Sequence, residues 1–423
     1  MAIRLLHTSD WHLGQSLGQQ SRDPEHRLFL DWLAETIRTR EVDVLLVSGD
    51  IFHTQAPSAE SQALYYRFLA RLMADNTGVQ VILTGGNHDS AARLNAPSEL
   101  LKALGVRVFG GYDRAHEADL LVPVCKRGTS TPIAMVAAVP FVHEWFVCGA
   151  RLDEDPAALS RGFQELYTRL ADVAETQNQG LPLVGMGHMT VYPASRAGKR
   201  DEIDRGDTPQ DIHRVGFLGA MAPSIFDPRY RYVALGHIHQ PIQPDPGRVM
   251  YSGSPVPVSF TEPISNRRCI QVDLDAAGGV TLDTLPVPAA RRLQVLRGDR
   301  SSVEAAARTL TWSEPLPPFV FVDFEEQGAT HGNNGDTSEL FKHCKSDERP
   351  IIVESRLRVM TEASQTVSAA VEEAKASFTV ESVFRLGWQA RFGDEPVPED
   401  LMSLFHELAS QSGDDGTRSG GDA

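Results

Sequence analysis

The 423-residue sequence is poor in cysteine, in long apolar runs and in positive charge. Its four cysteines (Cys125, Cys148, Cys269 and Cys344) are far apart and form no Cys-x-x-Cys pair. That spacing argues against a disulfide scaffold and against a thiolate zinc site. No uninterrupted apolar stretch approaches the roughly 20 residues that a membrane-spanning helix needs. The opening MAIRLLHTSDW lacks the basic and then apolar pattern of a secretory signal. Together these absences lead us to expect a soluble, cytoplasmic protein. Lysine and arginine number 40 against 56 acidic residues, a formal net charge of −16. Such a balance argues against a protein that coats nucleic acid by general electrostatics. It leaves room for a polynucleotide substrate, because bound divalent cations reverse the local sign.

What is present suits a large folded chain. Hydrophobic residues make up 41%, with 5 Trp and 18 Phe, and the length favours two or three domains. Through the first two-thirds, short Val/Ile/Leu-rich runs alternate with helical patterns. Strands are expected at 3–6, 42–47, 79–83, 133–139, 181–185, 230–235, 248–251 and 269–274, and helices near 25–39, 59–73, 97–104 and 157–176. Runs of this kind suit strands covered on both faces. LPVPAA at 285–290 breaks the pattern. Beyond it come FVFVDFE and IIVESRLRV, two strand-like runs around a Gly/Asn-rich stretch. We therefore expect a domain over 1–285, a small α+β domain over 286–376, a helical segment over 377–411 and a disordered tail over 412–423. Residues 291–300 hold Arg291, Arg292, Arg297 and Arg300 against Asp299 alone, a candidate basic edge for DNA.

The most informative pattern is where the polar residues fall. Five expected strands each run into a potential metal ligand: Asp10 with His12, Asp50, Asn87 with His88, His188, and His237 with His239. In sheets of this type, ligands gather outside the carboxyl ends of the strands. Residues remote in sequence would then meet in one crevice. Two divalent cations about 3.5–4 Å apart repel each other, and a shared carboxylate screens that repulsion. Asp50 is the candidate bridge. Asp10, His12 and His239 would complete one position, and Asn87, His188 and His237 the other. Mixed imidazole and carboxylate donors suit Mn²⁺ or Fe²⁺ better than Mg²⁺.

HTSDWHLG, SGDIFH, GGNHDS, the Gly187–His188 pair and GHIH resemble the motifs of the calcineurin-like phosphoesterase superfamily. HTSDWHLGQSLG, GGNHDS, ALGHIH and YSGSPVPVSF resemble, more narrowly, its bacterial DNA-end-processing nucleases. The resemblance is strong over 1–275 and weak after that. It implies a metallophosphoesterase sandwich of mixed sheets flanked by helices, an α/β fold, with a small α+β capping domain and C-terminal helices. It also implies two-metal cleavage of DNA phosphodiesters with Mn²⁺, a homodimer, and a partner ATPase with a long coiled coil. The superfamily's ligands map onto Asp10, His12, Asp50, Asn87, His188, His237 and His239. Its acid-like histidine maps onto His88, and a substrate-orienting histidine of some members maps onto His53. We expect Asp89 and Ser90 to lie at a helix N-cap, and His7 to be structural. The helices near 59–73 and 97–104 are the candidate dimer face, and 379–410 is the candidate docking element for the ATPase. An alternative keeps the site and changes the substrate to nucleotides or phosphoproteins. Against it, the chain has IFHT after Asp50 and GNHD, where the protein phosphatases of this superfamily carry Asp-Arg-Gly and a Glu after GNH. A third possibility, an assembly subunit with purely structural metals, fits poorly with so complete a ligand set.

Overall fold

The computed structural model describes residues 2–75, 78–149, 155, 157–178, 180–195, 221–262, 264–327, 336–346 and 348–360, with a few isolated positions up to 402. The expected Gly/Asn-rich loop, nearly all of the expected C-terminal helical segment and the tail lie outside the described residues. Two compact units form. The first comprises Met1–Gln294, Thr311–Val320 and Glu348–Val353.

In chain order the strands are β1 (Ala2–Thr8), a hairpin of β2 (Ser16–Leu17) and β3 (Gln20–Ser21), β4 (Val44–Ser48), β5 (Gln80–Thr84), β6 (Val106–Phe109), β7 (Leu121–Cys125), β8 (Pro132–Ala138), β9 (Leu183–His188), β10 (Tyr230–Gly236), β11 (Val249–Tyr251), β12 (Arg268–Asp275) and β13 (Val280–Pro286). The helices are α1 (Asp23–Thr39), α2 (Ala59–Asp75), α3 (Ala91–Asn95), α4 (Ser98–Ala103), α5 (Glu144–Cys148) and α6 (Ala158–Asn178). One sheet has the order β13-β12-β1-β4-β5-β6, and the other β11-β10-β9-β8-β7.

Alternation along the strands explains the layers. Ile3 and Leu5 of β1, with Val44 and Leu46 of β4, face Val184 and Met186 of β9 and Ala234 of β10 in a core between the sheets. Leu6, Leu45 and Val47 face the other way, onto Phe29, Leu33 and Ile37 of α1 and Leu64, Phe68 and Leu72 of α2. The spacing of those helical residues by four places them on one stripe. Asp23 and Glu25 in the first turn of α1, and Arg38 in its last, complement the helix dipole. The second sheet is covered likewise by Phe163, Leu166 and Leu170 of α6.

Strand direction places the site. β1, β4 and β5 run parallel, as do β8, β9 and β10. The carboxyl ends of each set therefore lie on one side of their sheet. His7, on the inter-sheet face of β1, spans the sandwich. Its Nδ1 is 2.8 Å from the Tyr232 hydroxyl, and its Nε2 lies 3.1 Å from the Leu235 carbonyl.

β14 (Arg291–Gly298), β15 (Leu316–Gln327) and β16 (Ile351–Met360) form a three-stranded sheet in that order. Within the second unit, α7 (Arg300–Thr309) starts at an Asp299 cap that accepts from the Ser302 N–H at 2.7 Å, and it buries Val303 and Ala307. Of the expected basic edge, one member turns inward. Arg291 is 6% exposed, bonds Glu25 Oε1 at 2.8 Å and lies over the Phe319 ring. Arg297 donates to Asp323, and Arg300 to the Asp336 carbonyl. Arg291 alone is withdrawn from solvent, where its guanidinium needs an acceptor, while Arg297 and Arg300 pair and stay partly exposed.

Candidate metal centre

The loops after β1 and β4 are zipped together by backbone hydrogen bonds. The N–H groups of Asp10 and His12 donate to the carbonyls of Gly49 and Asp50, each at 3.0 Å. Asp10, His12, Asp50 and His237 all adopt positive φ, among six such non-glycine positions in the described residues. Left-handed backbone is costly for these residue types and survives only where the surroundings impose it. Two glycines allow the loops to approach. A Cβ on Gly49 would sit 2.1 Å from His188 Nδ1, and one on Gly236 would sit 1.8 Å from the Ser48 carbonyl.

All nine expected residues come together. Asp10 Oδ1 accepts from the His237 N–H at 2.8 Å. His12 Nε2 lies 3.1 Å from His239 Nε2 and 3.5 Å from Asp50 Oδ2. Asp50 Oδ2 is 3.3 Å from His188 Nε2, and its Oδ1 accepts from the His88 N–H at 3.0 Å. Asn87 Oδ1 is 3.0 Å from both His188 Nε2 and His237 Nδ1. His53 stacks on His88 with ring centroids 5.7 Å apart, and its Nδ1 lies 3.5 Å from that of His12. Donor atoms of Asp10, His12, Asp50 and His239 all lie within 4.8 Å of one another.

The outer contacts select tautomers. His188 Nδ1 lies 2.9 Å from the Ser48 carbonyl, and His88 Nδ1 lies 2.9 Å from the His53 carbonyl. A carbonyl can only accept, so each Nδ1 carries the proton. In the neutral ring, the lone pair is then on Nε2.

The electrostatics fit a cation. Burial opposes ionisation of Asp50, yet the imidazoles of His188, His12 and His88 hold its carboxyl well below the usual range. Burial alone would lower His188, but the Asp50 carboxylate beside it wins and raises it to about 9. His239 is likewise raised to about 9 against its burial, chiefly by Glu262. Protons on these two rings answer a surplus of negative field, the demand that a divalent ion meets. His237 is depressed to about 3 by burial and by the charge on His188. Donor type, inward aim and charge all fit divalent metal.

The expected N-cap lies where the sequence placed it, at Ser90, but the Asp89 side chain has another task. Asp89 does not cap a helix: its carboxylate accepts from the N–H groups of Ile51, Phe52 and Gly86 at 2.9–3.0 Å. It pins the loop after β4 to the loop after β5. Ser90 holds the N-cap position of α3, but its side chain bonds nothing there. Glu262, whose Oε1 lies 3.0 Å from His239 Nδ1, was not anticipated. The only sequence signal for it is an acidic residue two positions after the YSGSPVPVSF stretch.

The family profile described as "Calcineurin-like phosphoesterase" matches residues 3–241. The SbcD component of the SbcCD nuclease from Rhodobacter capsulatus is 39% identical over 298 residues, covering 68% of this chain and 69% of that protein. Its Escherichia coli K12 counterpart is 30% identical, covering 97% of this chain and 99% of its own. The Bacillus subtilis counterpart is 29% identical over 96% and 98%. With the fold and the crevice already described, this places the chain in the calcineurin-like phosphoesterase family, among the relatives of the SbcD nucleases.

Proposed function

We propose that this chain is a metal-dependent DNA nuclease. It hydrolyses phosphodiesters at DNA ends and hairpins, as exonuclease and endonuclease, with two Mn²⁺ ions as its cofactor. The observation that supports this most is the convergence of six candidate metal donors on Asp50, with His88 beside them, in a chain related to nucleases over nearly its full length.

In this reading Asp50 bridges the two metal positions, Asp10, His12 and His239 serve one, and Asn87, His188 and His237 serve the other. The bound ions would supply charge neutralisation at the phosphate and activation of a water. The chain's own residues do the rest. Asp89 and the backbone pairs between residues 10–13 and 49–53 hold the ligand loops in register. His88, oriented by its Nδ1 contact and by the Asp50 carboxylate on its backbone N–H, would act as an imidazolium whose Nε2 proton passes to the leaving oxygen while Nδ1 keeps its own. His53, stacked on His88, orients the phosphate.

The chain would act with an SbcC-type coiled-coil ATPase, as a homodimer in the cytoplasm. Tyr66 of α2, with Leu100 and Leu104 at α4, leave exposed apolar surface, which supports that face for pairing. No described helix is long and apolar enough to cross a membrane. The test is incubation of the purified chain with end-labelled hairpin DNA and Mn²⁺, with and without the ATPase partner. Metal-dependent cutting is expected. Turnover of nucleotides or phosphopeptides with DNA left intact would transfer the site to the alternative substrates.

A further inference from the structure

The segment from Ser252 to Arg267 grips two of the ligand residues from behind, and the mechanism above gives it no task. Ser252 Oγ lies 2.8 Å from Ser9 Oγ, which donates to Asp10 Oδ2 at 2.5 Å. Glu262 is 7% exposed. Its Oε1 faces His239 Nδ1 at 3.0 Å, and its Oε2 accepts from the Val258 N–H at 3.2 Å. Arg267, 5% exposed, donates Nη2 to the same Oε2 at 2.7 Å. Its Nη1 donates to the His239 carbonyl at 3.0 Å and to Ser254 Oγ at 2.7 Å. One buried ion pair thus holds both the ring and the backbone of His239.

A carboxylate on Nδ1 fixes the ring tautomer, turns the Nε2 lone pair toward the crevice and strengthens it as a donor. His188 has only a neutral carbonyl in the corresponding place, that of Ser48. Arg267 anchors the Glu262 carboxylate through Nη2 on Oε2 and compensates its buried charge. The two imidazole groups are therefore backed unequally.

We propose that Glu262, locked by Arg267, is the positioning residue for His239, and that it raises divalent-cation affinity selectively at the Asp10–His12–His239 position. The two metal positions then differ in affinity because only one has a carboxylate-backed histidine. This inference rests on the reading of His239 as a ligand.

The experiment is a Mn²⁺ titration of the full chain, following free Mn²⁺ by electron paramagnetic resonance, with folding checked by circular dichroism. Glu262→Gln keeps an acceptor oxygen and removes the charge. It should weaken one class of site about 10–100-fold and leave the other unchanged. Arg267→Lys should weaken the same class by less, and it carries the test alone if Glu262→Gln fails to fold. His239→Ala should abolish that class, and in its background Glu262→Gln should add nothing. If His239→Ala leaves both affinities intact, the ligand assignment itself has failed. If His239→Ala removes one class but the Glu262 and Arg267 variants change neither class, or weaken both equally, the positioning role is overturned.

Discussion

His7 and His188 are both fully buried, one inside the β-sandwich and the other at its rim, and they titrate in opposite directions. Burial between the sheets drives His7 down to about 3, opposed by the Leu235 carbonyl and assisted by the charge of Arg268. At the rim the same penalty is overridden by Asp50 and Asp10, which hold His188 near 9. Neighbouring charge, and not depth, separates these two histidines, whereas His12 and His237 in the same crevice are lowered as His7 is. The backbone separates the two regions in the same way. Positive φ at non-glycine residues is absent from the described strands and gathers in the ligand loops.

The contrast can be broken most severely at the rim. Asp50→Ala should reduce Mn²⁺-dependent DNA cleavage to background while the circular dichroism spectrum is retained, since the loop is held from its other side by Asp89. Wild-type cutting by this variant would refute the site. His88→Ala should lower kcat by about 10²–10⁴-fold, the usual worth of a positioned proton donor, with both Mn²⁺ affinities kept; single-turnover cleavage and metal titration together check this. Inside the sandwich, His7→Ala should do the reverse. It should cost about 2–4 kcal/mol in urea unfolding through a cavity and an unsatisfied Tyr232 hydroxyl, with Mn²⁺ stoichiometry unchanged.

A smaller effect sharpens the comparison by pH. In EDTA, His188 and His239 have values raised above the usual 6.5 of an imidazole. The stability they contribute is complete below that value and is lost as pH rises through about 9. Melting of the metal-free chain should therefore come several degrees lower at pH 9.5 than at pH 6. Mn²⁺ affinity should rise over the same window, because the ion must displace those protons. A flat metal-free melting profile would contradict the charge assignment.

The fold and the ligands were legible in the sequence to different depths. The strands ending in Asp10, Asp50, Asn87, His188 and His237 stand out because buried parallel strands are continuous apolar runs and their polar ends contrast with them. β7 and β13 did not stand out. β7 carries Pro123, and β13 alternates Thr and Asp with apolar residues; both are edge strands, where one side needs no partner. β6 is only four residues long. The Glu262–His239 contact joins residues 23 apart through an irregular loop, so no periodicity announces it. Within the basic run at 291–300, composition does not show that Arg291 turns inward to Glu25.

The most direct test is manganese anomalous diffraction from crystals of the chain. Two peaks about 4 Å apart, with the Asp50 carboxylate between them, His188 and His237 on one and His12 and His239 on the other, are the predicted result. A single peak, or peaks away from Asp50, would contradict the account.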